Sequence, residues 1–180
     1  MPRPSVIVST VSLVAALLMM LGELMLSRHN EGVLRSRGAI EPAGDVYRTL
    51  AWAYPGMFVL MAIEGAIAGS TPAFATLAGA LVFGTAKVLK FWAISALGTR
   101  WTYRVLVPPG APLVSSGPYA WMRHPNYAAV FGEIAGMALL VGAPIAGVLS
   151  LVGFAVLVRK RIAVEERALK RGRESLRNAK

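Results

Sequence analysis

The chain has no cysteine, which excludes a disulfide framework, a thiolate metal site and a cysteine nucleophile, and leaves the redox compartment open. Its two histidines, His29 and His124, are too few for a histidine metal site, so no metal is expected. No Gly-x-Gly-x-x-Gly follows a strand-like run, and no Lys-Ser or Lys-Thr loop is present to cradle phosphate. Neither a Rossmann nucleotide site nor an NTPase is indicated, and any nucleotide-like cofactor must sit in a pocket between helices. Charge is scarce as well, at 16% of the residues, and it is missing from the turns at one end of the apolar runs.

What is present is apolar. The 180 residues are 56% hydrophobic with a mean hydropathy of +0.57, which suits one compact unit in lipid, residues 1–180, without a second domain. Val6 to Leu26 supplies 21 residues, enough at about 1.5 Å per residue to cross a hydrocarbon core of about 30 Å. The run begins after Arg3 and lacks a small-residue cleavage pattern, so it reads as a retained helix and not a signal peptide. Ala51 to Gly69 and Ala73 to Leu97 make a second and third span, joined by the uncharged turn Gly69-Ser70-Thr71-Pro72. Tyr127 to Gly142 and Ile145 to Val158 are shorter, and Gly142-Ala143-Pro144 breaks them into a helical hairpin. The expectation is an all-α integral membrane bundle of about five transmembrane helices. Three N-terminal spans occupy 1–97, a loop and hairpin 98–166, and a basic tail 167–180.

The net charge of +10 would suit nucleic acid in a soluble protein, but its placement points to a membrane surface instead. Of 19 Lys and Arg, four lie in the first loop (Arg28, Arg35, Arg37, Arg48), three in the third (Arg100, Arg104, Arg123) and nine after the last span. The two opposite loops have none and the N-terminus has only Arg3, so the N-terminus is expected outside and the C-terminus in the cytoplasm. Lys87 and Lys90, near the end of the third span, are expected to snorkel to the cytoplasmic interface.

Most of the chemically useful groups lie in Ser116-Gly117-Pro118-Tyr119-Ala120-Trp121-Met122-Arg123-His124-Pro125-Asn126-Tyr127, just before the hairpin. Pro118 and Pro125 limit the backbone there, so a cation, an imidazole, two phenols and a carboxamide can be pre-positioned. The hairpin adds a geometric argument, because Tyr127 and Arg161 both lie 17 residues from Pro144. Antiparallel packing brings them level, so His124 and Asn126 on one stem and Arg161, Glu165 and Glu166 on the other converge on one cytoplasm-facing pocket. Arg161 and Glu165 share a face at i,i+4, whereas Arg159, Lys160 and Glu166 read equally as interfacial anchors and a solvated face, with Glu166 beside Lys170.

Acids inside spans need a partner or a cavity. Glu133 lies two helical turns beyond Asn126 on the same face and is expected to look into the ligand cavity. Glu23, with Ser27 or Arg28 as its partner, and Glu64, a turn from the opposite surface, read as structural.

Gly-Pro-Tyr followed by Arg-His-Pro-Asn-Tyr, the Pro-turn hairpin, and then an Arg and paired acids resembles the isoprenylcysteine carboxyl methyltransferase family collinearly from Trp101 to Glu166. The resemblance implies a membrane enzyme that uses S-adenosylmethionine. It implies cofactor contacts at Leu113 and Val114, Tyr119, His124, Pro125, Asn126, Tyr127 and Glu165, with Arg161 on the substrate side. Glu23-Leu24 and Arg37-Gly38-Ala39-Ile40-Glu41 look like the short bacterial branch, whose members can methylate hydroxyls of lipidic polyketides such as alkylpyrones and alkylresorcinols. The chain has fewer spans than the eukaryotic prenylcysteine enzymes and two acids where those have a longer run, which weighs against prenylated protein as the substrate. The phospholipid N-methyltransferases share Arg-His-Pro and Tyr at a greater distance, and a non-catalytic membrane scaffold with interfacial aromatic anchors is the other class of reading.

The reaction this implies is methyl transfer to a lipophilic acceptor that enters from the bilayer. An ionised carboxylate needs no base. A phenol or enol must lose a proton, with His124, Glu133 or an anion-stabilising Arg161 as candidates.

Overall fold

The computed structural model describes residues 3–109 and 113–178, including side chains except those of 169 and 171–178. Among them are five helices: α1 (Pro4–Ser36), α2 (Tyr47–Ala68), α3 (Ala73–Leu97), α4 (Pro125–Val141) and α5 (Pro144–Asn178). The fold is a helical membrane bundle. α1, α2 and the α3 region are long and apolar enough to cross a membrane by length and composition. α4, with 17 residues, rises only about 25 Å. It stops where Gly142 adopts the left-handed conformation (φ +70°) and Pro144 opens α5, so the expected hairpin forms at the expected break.

Two helices outrun the apolar stretches that announce them. α1 continues past Leu26 to Ser36, since nothing breaks it before Gly38, and its inward stripe changes from apolar to polar at Glu23, Ser27 and Asn30. α5 continues past Val158 to Asn178 through residues that favour helix, carrying its basic half beyond the bilayer.

α3 packs most extensively on α4. The seam is made of small residues, as membrane helices require for close approach. A Cβ built on Gly136 would lie 2.5 Å from the Phe83 backbone nitrogen, and one on Gly132 would lie 2.8 Å from Ala86 Cβ. Phe58, Met61, Ile134, Met137, Val141 and Phe154 fill the centre, while Leu18, Leu81, Val88 and Ile145 face outward to lipid. At the hairpin turn the Glu64 carboxylate accepts from the backbone N–H groups of Ile145 (3.0 Å) and Ala146, which gives that acid the structural role its position implied.

The expectation that Lys87 and Lys90 snorkel is overturned. Both are buried, and their ammonium groups meet Glu23 at 2.7 Å each and Glu133 at 3.3 and 3.2 Å. The two lysines are one turn apart on the face of α3 that turns toward α1 and α4, so a carboxylate lies nearer than any headgroup. Glu23 is therefore held by Lys87, Lys90 and the Tyr103 hydroxyl (2.9 Å), and not by Ser27 or Arg28. Glu133 also accepts from the Tyr54 hydroxyl.

Two basic and two acidic side chains thus close on one another in the interior of the bundle. Removing one member leaves a buried charge uncompensated, at a cost of about 3–5 kcal/mol. Lys90→Met is expected to lower the unfolding temperature in detergent sharply, and adding Glu133→Gln, which restores neutrality, to recover part of the loss. A Lys90→Met protein as stable as the parent would contradict the pairing.

Candidate active site

The segment that precedes the Gly-Pro-Tyr motif, residues 98–107, is held by polar groups from the first third of the chain. Asn30 donates its side-chain amide to the carbonyls of Trp101 (2.8 Å) and Gly98 (3.4 Å), and Ser27 Oγ accepts from the Tyr103 N–H at 2.8 Å. The Asp45 carboxylate accepts from Val105 N–H (2.9 Å) and Tyr47 N–H (3.1 Å). Ile40 and Val107 exchange a pair of 3.1 Å backbone bonds in a single antiparallel bridge. These contacts fix residues 98–107 against the C-terminal part of α1 and the connection that follows it.

Beyond residue 113 the chain turns through a short 3-10 helix, Gly117–Ala120, and Pro125 opens α4 with His124 at its N-cap. His124 stacks on Tyr127 at 5.5 Å between ring centroids, and its Nε2 lies 3.9 Å from Glu166. Glu166 thus meets His124 and not Lys170. The register read from the hairpin is met directly: Arg161 Nε donates to the Tyr127 hydroxyl at 3.0 Å, and that hydroxyl donates to Glu165 at 2.9 Å. Arg161 further donates to Asp45 (3.0 Å) and to the Tyr103 carbonyl, so each of its three nitrogens is engaged. Asn126 accepts from the Trp101 indole N–H at 3.3 Å.

Of these groups His124, Asn126, Tyr127, Arg161 and Glu165 border a cavity of about 640 Å³. Along α1 its wall runs from Leu17 to Arg28, roughly 16 Å of helix. One part is polar, with Tyr119, His124, Asn126, Tyr127, Arg161 and Glu165. The other is apolar, with Leu17, Met20, Leu24, Val130, Phe154 and Val158. Leu21 and Trp52 line it too while remaining 52% and 83% exposed, so the cavity opens sideways between α1 and α2.

Six of the expected site residues therefore meet in one place. Pro125 is buried at the start of α4. Leu113 is half exposed and Val114 partly buried, and neither borders the cavity. Glu133 does not border it either: it is fully enclosed by Tyr54, Lys87 and Lys90, because its face of α4 turns to α3. Sequence reasoning missed Asp45, Tyr54, Tyr103 and Lys90 as parts of the site. Asp45 had a signal, being the only aspartate in the chain. Tyr54, Tyr103 and Lys90 had none, since their roles depend on which way helix faces turn.

Burial, and then the Glu165 charge, push the Tyr119 hydroxyl above the ordinary tyrosine range; burial, and then Glu23, do the same for Tyr103. Both stay protonated at neutral pH, and Tyr103 donates its hydroxyl to Glu23 at 2.9 Å.

Residues 77–171 match the model of the isoprenylcysteine carboxyl methyltransferase (ICMT) family, and the chain belongs to that family. It is a membrane methyltransferase. It is also 35% identical over 147 residues, 82% of this chain and 88% of the relative, to "Uncharacterized protein YpbQ" of Bacillus subtilis (strain 168).

Proposed function

We propose that this chain transfers the methyl group of S-adenosylmethionine to an oxygen of a lipophilic acceptor dissolved in the membrane, either a carboxylate or an acidic hydroxyl. The observation that carries this reading is the single cavity that joins a polar set at the base of the hairpin to an apolar wall with a lateral opening between α1 and α2. The polar set fits the cofactor. Glu165 offers a carboxylate to a cationic amino acid, Tyr119 and Asn126 offer hydrogen bonds to a nucleoside, and His124 offers an aromatic face, within a volume typical of ligand pockets. Pro125 and Tyr127 hold these groups in register, and Leu113 and Val114 complete the set that the family resemblance implies.

When bound, S-adenosylmethionine supplies an electrophilic methyl group on a sulfonium whose leaving thioether is neutral. The protein has to align the acceptor oxygen with that methyl and keep water out. Arg161 gives the acceptor side a fixed positive field, which favours an anionic oxygen over a protonated amine. For a hydroxyl acceptor, His124 is the base favoured among the three candidates, since it borders the cavity while Glu133 is enclosed by lysines. Membranes incubated with methyl-labelled cofactor and a panel of prenylcysteine analogues, alkylpyrones, alkylresorcinols and phosphatidylethanolamine are expected to label an oxygen acceptor. Base-labile label marks an ester and base-stable label an ether. Label confined to phosphatidylethanolamine would overturn the oxygen assignment, and no label in any acceptor would favour a non-catalytic role.

The division of roles is separately testable. His124→Ala and Glu165→Ala are each expected to weaken cofactor binding by roughly ten- to a hundredfold, the worth of a hydrogen bond to a charged group. Arg161→Ala is expected to lower turnover or acceptor affinity while leaving cofactor binding close to that of the parent; equal loss in all three refutes the division.

The proposed site faces the cytoplasm, where the cofactor is made, with the N-terminus outside. The support is the excess of cations on the loops that carry the site and on the tail. A reporter fused after Lys180 is expected to be cytoplasmic, and its digestion by an external protease in intact cells would reverse the orientation.

A further inference from the structure

Arg161 and Glu165 stand one helical turn apart on α5, the spacing at which a guanidinium and a carboxylate ordinarily pair. Among the described residues they do not. The Tyr127 hydroxyl lies between them, accepting from Arg161 Nε at 3.0 Å and donating to Glu165 at 2.9 Å, and the guanidinium turns to Asp45 at 3.0 Å. Asp45 reaches it from the connection between α1 and α2, 116 positions away in sequence. The Asp45 side chain is only 5% exposed, and the N–H groups of Tyr47 and Val105 hold it from the other side. It is a fixed counter-ion.

We propose that Asp45 is a positioning residue: its charge holds Arg161 away from Glu165 and so leaves the Glu165 carboxylate open to a cationic ligand. The inference rests on the proposed cofactor, which is cationic at both its sulfonium and its ammonium. With the Arg161 side chain 8% exposed, its charge is weakly screened. Released from Asp45, the guanidinium has Glu165 one turn away as its next partner. Every such pairing takes from the ligand the negative charge it needs. Asp45 affects the Glu165 carboxylate through Arg161, so that effect depends on the guanidinium being present, whereas its hold on the Tyr47 and Val105 N–H groups does not.

That dependence supplies the test, a double-mutant cycle read by equilibrium binding of S-adenosylmethionine to purified protein. Asp45→Asn is expected to weaken binding about tenfold, within the range of couplings between neighbouring charges. Arg161→Gln is expected to lose less binding than Asp45→Asn, and Asp45→Asn in the Arg161→Gln background to cause no further loss. The double variant then binds more tightly than Asp45→Asn alone, which a merely structural aspartate would not permit. Parent-like binding by Asp45→Asn overturns the proposal. So does a double variant as weak as Asp45→Asn. If Asp45→Asn alone does not fold, the comparison within the Arg161→Gln background decides, since any loss there contradicts an effect exerted through the guanidinium. Absence of binding by the unmodified chain would remove the cofactor reading and this role with it, whereas binding indifferent to Asp45 removes the positioning role alone.

Discussion

Four charges that must neutralise one another inside the bilayer set the positions of everything else. Glu23 on α1, Lys87 and Lys90 on α3 and Glu133 on α4 can each be buried only because the other three are present. Their closure fixes three helices from three parts of the chain. It also reaches outward. Tyr103 donates its hydroxyl to Glu23, while its carbonyl accepts from Arg161, and Arg161 in turn holds Tyr127 against Glu165. One continuous polar path therefore runs from the buried lysines to the carboxylate proposed to meet the cofactor. The mutual hydrogen bonds and ion pairs along it favour one arrangement of the path.

Around this path the apolar residues set access. Small residues let α3 and α4 approach closely, which closes that side of the bundle, whereas α1 and α2 leave Leu21 and Trp52 both exposed and bordering the cavity. A lipid-dissolved molecule thus has an opening on one side, and a polar ligand has the base of the hairpin. The division between the two ends suits a reaction whose partners come from different solvents.

Much of this was legible in the sequence. Equal distances from Pro144 put Tyr127 and Arg161 level, and they bond at 3.0 Å. The motif from Tyr119 to Tyr127 identified the family before any geometry was known. The first three spans could be read from apolar length, although α1 and α5 run on where hydropathy fades, because helix termination depends on breakers and not on polarity. The charged quartet was not legible, since Lys87 and Lys90 lie near enough to an interface that reaching water was the expectation, and only the face of α3 shows that they pair inward. Glu133 was misdirected too: seven residues beyond Asn126 it is only about 20° off the same face, but at that depth Tyr54, Lys87 and Lys90 enclose it and the cavity does not reach it. Asp45 pairs across 116 residues, a contact that no local pattern encodes.

One cavity at the base of the hairpin is proposed to receive S-adenosylmethionine beside a lipophilic acceptor. Photo-crosslinking of methyl-labelled cofactor to the purified protein, followed by mapping of the labelled peptides, tests it most directly. The account predicts label within residues 117–130 or 159–166, lost in Glu165→Ala and competed by unlabelled S-adenosylmethionine. Competable label confined to other segments, or no competable label on folded protein, would contradict it.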